Sequence, residues 1–292
     1  MSLETLRAND PAAANEWYVV ARPEDVRAHS AARLLGHDIT LAREGEGVTA
    51  TGPAGEVLPV RLAYGHVWTS PGTPPDALFP IDEFGEDDRK LATCGAVRVR
   101  ASGLRLVENF LDMAHFPFVH TGILGAVERP EVERYECAVR NDEVWATNCR
   151  FFQPQAAAHA ADGGQMSDYT YRVAAPFNVL LYKTSPSDPA RLDVIGLFVQ
   201  PVEPDVSLAW AFVLVIDEAS TTTDLIAFQQ TIFLQDRVIL ENQRPRLLPL
   251  VPGAEIPTRA DMASVAYRRW LKEKGLRFGV HEHRADDRAE AA

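Results

Sequence analysis

Between Glu143 and Asp217 the chain passes through five short segments rich in aromatic, β-branched and aliphatic residues: "EVWATNCRFF", "SDYTYRVAAP", "NVLLYKTS", "LDVIGLFVQPV" and "SLAWAFVLVID". Each is of strand length and is bounded by polar or turn-forming residues. From Thr222 to Leu248 the apolar spacing becomes helical, and "RADMASVAYRRWLKEKG" forms a second amphipathic helical pattern. Strands followed by long helices point to the α+β class, with helices lying across a sheet. Upstream, "EWYVVARPEDV" opens as a strand. "LLGHDITLAREGEGVTATGPAGEVLPVRLAYGHVWTSPG" then alternates apolar runs with Gly and Pro turns, the pattern of small antiparallel strands. A Pro-rich acidic connector, "PGTPPDALFP" to "EFGEDD", precedes a further strand, "CGAVRVRASG".

Composition excludes several classes of function. The 292 residues, 46% hydrophobic and 24% charged, are enough to build a core without disulfides. A net charge of -12, from 41 acidic against 29 basic residues, repels nucleic acid and anionic lipid. No apolar run approaches the ~20 residues of a membrane span. The opening "MSLETLRAND" lacks the basic and apolar regions of a signal peptide. Cys94, Cys137 and Cys149 stand far apart with no C-x-x-C, which fits a reducing compartment; a cytoplasmic location is expected. "GEGVTATGPAG" contains no G-x-G-x-x-G, so no dinucleotide site is expected and any reductase is a separate protein.

The densest chemistry lies in "ENFLDMAHFPFVH", Glu108 to His120, which holds Asn109, Asp112, His115 and His120. On a helical wheel His115 and His120 fall about 60° and about 80° to either side of Asp112. Pro117 lies between the histidines and cannot bond back to Met113. A kink or π-type bulge is expected there, swinging the two imidazoles together. Two buried, hydrogen-bonded core histidines are the alternative. A metal reading needs a third ligand, and "FLQDRVILENQRP" offers Asp236 and Glu241. Two imidazoles and one carboxylate on one face of Fe(II) leave positions open for O2 and substrate. The other histidines, His29, His37, His66 and His159, read as structural or exposed, and His281 and His283 as part of a loose tail.

Together, "ENFLDMAHFPFVH" and the later "LQDRVILENQ" resemble the catalytic domain of Rieske-type non-haem iron oxygenases, in particular the vanillate O-demethylase oxygenase group. The likeness extends to "EWYVVARPEDV", "YGHVWTSPG" and "RADMASVAYRRWL", so it spans almost the whole chain. Gln235 stands where that family usually has an acid. The resemblance implies His115, His120 and Asp236 as iron ligands, Asp112 as the residue bridging the iron to an electron donor, and Asn109 as a polar neighbour of the iron. It also implies a fold and its division: a truncated antiparallel β region over 1–78, a helix-grip (Bet v 1/START-like) catalytic domain over 79–280, and a flexible tail over 281–292.

The family's [2Fe–2S] centre is held by C-x-H and C-x2-H pairs, two Cys on one iron and two His on the other. Neither pair occurs here, and "REGEGVTATGPAGEVLPVR", where the cluster segment would fall, contains no Cys or His. The expectation is an Fe(II) monooxygenase subunit without its own cluster. It would hydroxylate or O-/N-demethylate a small aromatic or heterocyclic molecule with O2. Electrons would come from a Rieske-bearing ferredoxin, subunit or reductase, as the family's cluster-less purine N-demethylase subunits do, and assembly would be a trimer-based homo- or hetero-oligomer. The alternatives are a non-catalytic structural or regulatory subunit and a small-molecule binding protein on the same fold. Cluster reconstitution is expected to give no visible Rieske absorption and no rhombic EPR signal on reduction; a stoichiometric cluster would refute this reading.

Overall fold

A computed structural model describes residues 2–159 and 164–282. The chain opens with two short helices, α1 (Leu3–Asn9) and α2 (Pro11–Ala14). Seven small strands follow: β1 (Tyr18–Ala21), β2 (Ser30–Leu34), β3 (His37–Glu44), β4 (Gly47–Thr51), β5 (Val57–Leu58), β6 (Val60–Ala63) and β7 (His66–Thr69). Next come β8 (Lys90–Val99), α3 (Gly103–Leu111) and α4 (Phe116–Val119). A meander of β9 (Glu136–Arg140), β10 (Glu143–Gln153), β11 (Gln165–Ala175), β12 (Asn178–Thr184), β13 (Leu192–Glu203) and β14 (Val206–Val215) leads to α5 (Thr222–Asn242). The chain closes with β15 (Leu248–Pro249), α6 (Met262–Lys274) and β16 (Val280–His281). The five strand runs and both long helices read from the sequence are all present.

The architecture is mixed α and β, dominated by antiparallel sheet with few helices. A seven-stranded sheet in the order β8-β14-β13-β12-β11-β10-β9 forms its centre. Successive side chains on a strand point to opposite faces, and here both faces are covered. Leu197 and Val199 on β13, and Ala209 and Ala211 on β14, join the main core with α3, α5 and α6. Their neighbours Phe198, Trp210 and Phe212 turn the other way, against Trp17, Val19, Trp68 and Ile81. Burial on both faces explains why these strands read as nearly continuous apolar runs without polar alternation.

The covering region on that second face consists of two small antiparallel sheets, β1-β7-β6 and β2-β3-β4-β5. The β2–β3 turn is stitched to β13 by Leu35 N–H to Pro201 O (2.7 Å) and Gly36 N–H to Val202 O (2.9 Å). The segment Arg43 to Arg61, where the family's cluster segment was expected to fall, forms short strands, β3 to β6. His37 and His66 are buried, each with Nδ1 bonded to a carbonyl two residues back. Burial pulls His66 down to about 4, so it is neutral at physiological pH.

Three features differ from the sequence reading. The helices α1 and α2 were not expected; their sites are short and depend on tertiary ties. Asp10 caps α2 through Ala13 N–H and also accepts from Arg277 and Phe278 N–H near the far end of the chain. The long helix stops at Asn242 instead of Leu248, because Pro245 lacks an N–H and disfavours helical geometry at the residue before it. His281 is not part of a loose tail: it pairs with Pro249 in a short parallel ladder. Residues 283–292 of the tail, including His283, lie outside the described residues. No helix among the described residues is long and apolar enough to cross a membrane.

Gly196 on β13 faces the Phe212 ring, and a Cβ there would stand 2.0 Å from a ring carbon. Gly196→Ala is therefore expected to destabilise the fold by about 1–3 kcal/mol through overpacking, read as a lower urea midpoint. An unchanged midpoint would contradict the close packing of this face.

Candidate metal centre

Ser102 caps α3 by accepting from Leu104 N–H (3.2 Å), and α3 runs only to Leu111. Asp112 then adopts an extended backbone (φ -85°, ψ 121°), and its Oδ1 accepts from Ala114 N–H (2.8 Å). His115 opens α4, whose first turn contains Pro117. The expected kink or π-bulge is thus replaced by a full break. Asp112 satisfies the freed backbone, and Pro117 starts a new helix at a position where its missing N–H costs nothing. His120 ends α4, and Thr121 bridges to Gly125 beneath it. A Cβ on Gly125 would sit 2.6 Å from Pro117 N, so the loop presses directly on the backbone between the two histidines.

Both imidazoles are pinned from outside. His115 Nδ1 lies 3.0 Å from Asp112 Oδ2, and His120 Nδ1 lies 2.8 Å from Gln235 Oε1. Each partner is an acceptor, so each Nδ1 carries the proton and each Nε2 presents its lone pair. The two Nε2 atoms stand 3.1 Å apart. Asp236 Oδ1 lies 2.9 Å from His120 Nε2 and 3.2 Å from His115 Nε2, and it is buried without a hydrogen bond of acceptable geometry. Two lone pairs and an anionic oxygen converging in a buried site repel one another unless a proton or a metal cation sits among them. These residues therefore fit a divalent metal held by two imidazoles and a carboxylate, the donor set suited to Fe(II) with open positions. Among the described residues, His115, His120 and Asp236 are the one His/Cys/Asp/Glu group whose ligand atoms gather this closely, all within 4.8 Å.

Asn109 lines the same cavity as the triad. Asp112 is partly exposed and orients His115 from the solvent side. Glu241, the other carboxylate on α5 named from sequence, is not at the centre; it accepts from Arg100 N–H (3.0 Å) and pairs with Arg237 (3.2 Å). Behind the site, Arg105 bonds Glu108 (3.0 Å) and Glu255 (2.6 Å), and Arg268 pairs with the same two carboxylates, locking α3 to α6.

The cavity encloses about 90 Å³ and is partly open to solvent. Its walls are mostly apolar, with Phe110, Leu197, Ile232 and Phe233 among them. Four buried polar groups on the sheet also face it: Gln153, Tyr169, Tyr171 and Lys183. Sequence reading missed all four. The signal available was one lysine inside the apolar run "NVLLYKTS" and the paired tyrosines of "DYTYRV". Burial lowers Lys183 to about 8, so it still carries its charge at neutral pH.

This fold and site define the catalytic component of a Rieske-type oxygenase. The chain belongs to the vanillate O-demethylase oxygenase C-terminal domain family, which it matches over residues 99–277, and is an O2-dependent oxidoreductase of that kind. It is 45% identical over 272 residues to "Probable methylxanthine N7-demethylase NdmC" of Pseudomonas sp. (strain TJI-51), covering 91% of this chain and 96% of that one. Methylxanthine N3-demethylase NdmB of Pseudomonas putida is 25% identical over 198 residues, 67% of this chain and 53% of that protein. In fold, the chain resembles NdmA of Pseudomonas putida CBB5 with caffeine (TM-score 0.72, 18% identity, 89% of this chain and 91% of that one). It also resembles dicamba monooxygenase bound to dicamba (TM-score 0.67, 16% identity, 90% and 98%).

Without metal, burial opposes charge on His115, but its bond to Asp112 and the nearby negative charge of Asp236 outweigh burial and raise it from 6.5 to about 9. Because the folded value is the higher, this stabilisation is complete below pH 6.5 and is lost as pH rises through about 9. A metal must displace that proton, so affinity is expected to climb by about tenfold per pH unit up to that point. Melting curves of metal-free protein should fall across this window and recover with anaerobic Fe(II), while His120→Ala retains no stoichiometric iron. A flat metal-free profile, or full retention by the variant, would count against the site.

Proposed function

We propose that this protein is the catalytic subunit of a multicomponent non-haem Fe(II) monooxygenase that removes an N-methyl group from a methylxanthine-like heterocycle. His115, His120 and Asp236 would hold the Fe(II). The observation that carries the reading is the convergence of both Nε2 lone pairs and the unbonded Asp236 Oδ1 beside a largely apolar cavity. The choice of methyl-group chemistry is supported by the 45% identity to the protein named a probable methylxanthine N7-demethylase. Fe(II) at this triad would supply the O2 activation that oxidises a substrate C–H bond.

The residues of the chain do the rest. Asp112 and Gln235 hold the imidazoles in the Nδ1–H tautomer, and apolar walls such as Phe110, Phe233 and Leu197 pack against a planar ring and exclude bulk water. Hydroxylation of an N-methyl carbon consumes O2, two electrons and two protons and releases water. The resulting N–CH2OH then collapses to formaldehyde and the free N–H. The three cysteines lie singly on β8, β9 and β10, and no C-x-H or C-x2-H pair accompanies them, so the electrons enter from a separate Rieske-bearing chain. Asp112, bonded to His115 and partly open to solvent, is the entry point. In this reading residues 1–78 are the remnant of a cluster-binding region, 79–280 form a helix-grip catalytic domain with α5 and α6 against the curved sheet, and the assembly is trimer-based.

The expected outcome is formaldehyde release from a methylxanthine only when Fe(II)-loaded protein, NADH, O2 and a Rieske-bearing reductase are combined. Asp112→Asn should keep its iron yet lose most steady-state turnover, because electron arrival slows. Full turnover without a partner would overturn the heteromeric scheme. Iron binding and substrate binding without any formaldehyde would favour a non-catalytic subunit instead.

A further inference from the structure

The polar groups on the cavity's sheet wall are arranged as a row. On adjacent strands Tyr169 pairs with Lys183 and Lys183 pairs with Asp193, while Tyr171 pairs with Leu181 one step along the same face. Lys183 is 6% exposed, Tyr169 3% and Tyr171 1%. The Lys183 ammonium has three N–H donors, and Ala156 O is the acceptor it meets. Among the described residues no carboxylate lies within 4.0 Å of it. Asp193, its cross-strand neighbour, supports the charge from a distance without a direct bond to it and accepts from Ile216 N–H (2.9 Å). The Tyr171 hydroxyl is buried and has no hydrogen-bond partner, and that of Tyr169, also buried, has Ser167 within reach but in poor hydrogen-bond geometry.

Unsatisfied buried donors are rare in native proteins and call for a partner. Here two hydroxyls and the free donors of a buried cation meet in a cavity that is otherwise apolar. Neutral carbonyls would satisfy the tyrosines alone. The ammonium asks for more, since a buried cation is stabilised by an anionic acceptor in charge-assisted hydrogen bonds.

We propose that Lys183, with Tyr169 and Tyr171, forms a wall that binds a negatively charged oxygen carried on a planar ring, and that this wall selects the substrate. The inference rests on the cavity's being the substrate site. The shared chemistry is an anionic ring oxygen, supplied either by an aromatic carboxylate or by an ionised purine oxygen. Lys183 acts here by recognition, holding the ring; it is not assigned a role in bond breaking.

Two ligand pairs separate these sources: benzoate against neutral benzamide, and urate against neutral caffeine. Calorimetric titration at neutral pH, with metal-free and with anaerobic Fe(II)-loaded protein, is expected to show a preference for the anion of about tenfold in at least one pair. Lys183→Met should erase that preference, and Tyr171→Phe should weaken binding of the preferred anion. Equal affinities within both pairs in the wild type would overturn the proposal, and so would a preference that survives in Lys183→Met. A preference seen only with iron present would also overturn it, because the anion would then be binding the metal. Should Lys183→Met fail to fold, the wild-type comparison in metal-free protein still decides. Failure of the demethylase reading would appear separately, as an anion preference without formaldehyde from any methylxanthine.

Discussion

Two imidazoles whose Nδ1 protons are committed elsewhere have to aim their Nε2 lone pairs inward, and Asp236 adds a negative oxygen to the same point. That unfavourable convergence is the constraint around which the rest of the structure is arranged. It requires the chain to break at Asp112, so that one side chain can both end α3 and orient His115. It requires α5 to present Gln235 and Asp236 together, one to His120 Nδ1 and the other to its Nε2. The capping box of Thr221 and Asp224 fixes where α5 begins, and the Arg105–Glu108–Arg268–Glu255 network holds α3 against α6. Buried ion networks of this kind add little net stability, because desolvation offsets the attraction. Their contribution is to restrict the helices to one mutual placement. Gln235 gives His120 Nδ1 a neutral acceptor, whereas His115 Nδ1 bonds the carboxylate of Asp112.

The second constraint is the double burial of the central sheet. Its helix-side face forms the cavity, and its far face carries Phe198, Trp210 and Phe212. The N-terminal strands supply Trp17, Val19 and Trp68 to cover them, and Trp68 packs on Phe198 with ring centroids 4.7 Å apart. This gives a physical reason for these strands to persist whether or not they hold a cofactor. Without them a contiguous aromatic surface would face water, a strong drive toward aggregation. The same coupling transmits to the site: β13 and β14 carry Phe198 and Phe212 on one face and the cavity residues Leu197 and Ala211 on the other.

Much was legible in the sequence because the relevant forces are local. Short apolar and β-branched runs marked the meander, a 3.6-residue period marked α5 and α6, and the resemblance to the Rieske-type oxygenases pointed to Asp112, His115, His120 and Asp236. Where the reading failed, long-range contacts had decided the outcome. The helix was expected to bend at Pro117 but breaks at Asp112, because the side chain of Asp112 offered the backbone a better bond and the loop at Gly125 pressed from below. The helices α1 and α2 exist through Asp10, which reaches residues at the other end of the chain. His281 joined a strand because Leu248–Pro249 came alongside it. The polar wall of the cavity was invisible, since Tyr169 and Lys183 become neighbours only through the register of β11 on β12. The sequence by itself determined which residues could bind a metal and which segments would be strands or helices, because those depend on side-chain chemistry and short-range periodicity. Only the tertiary structure decided which lone pairs converge and which buried donors lack a partner, because both depend on how distant segments pack.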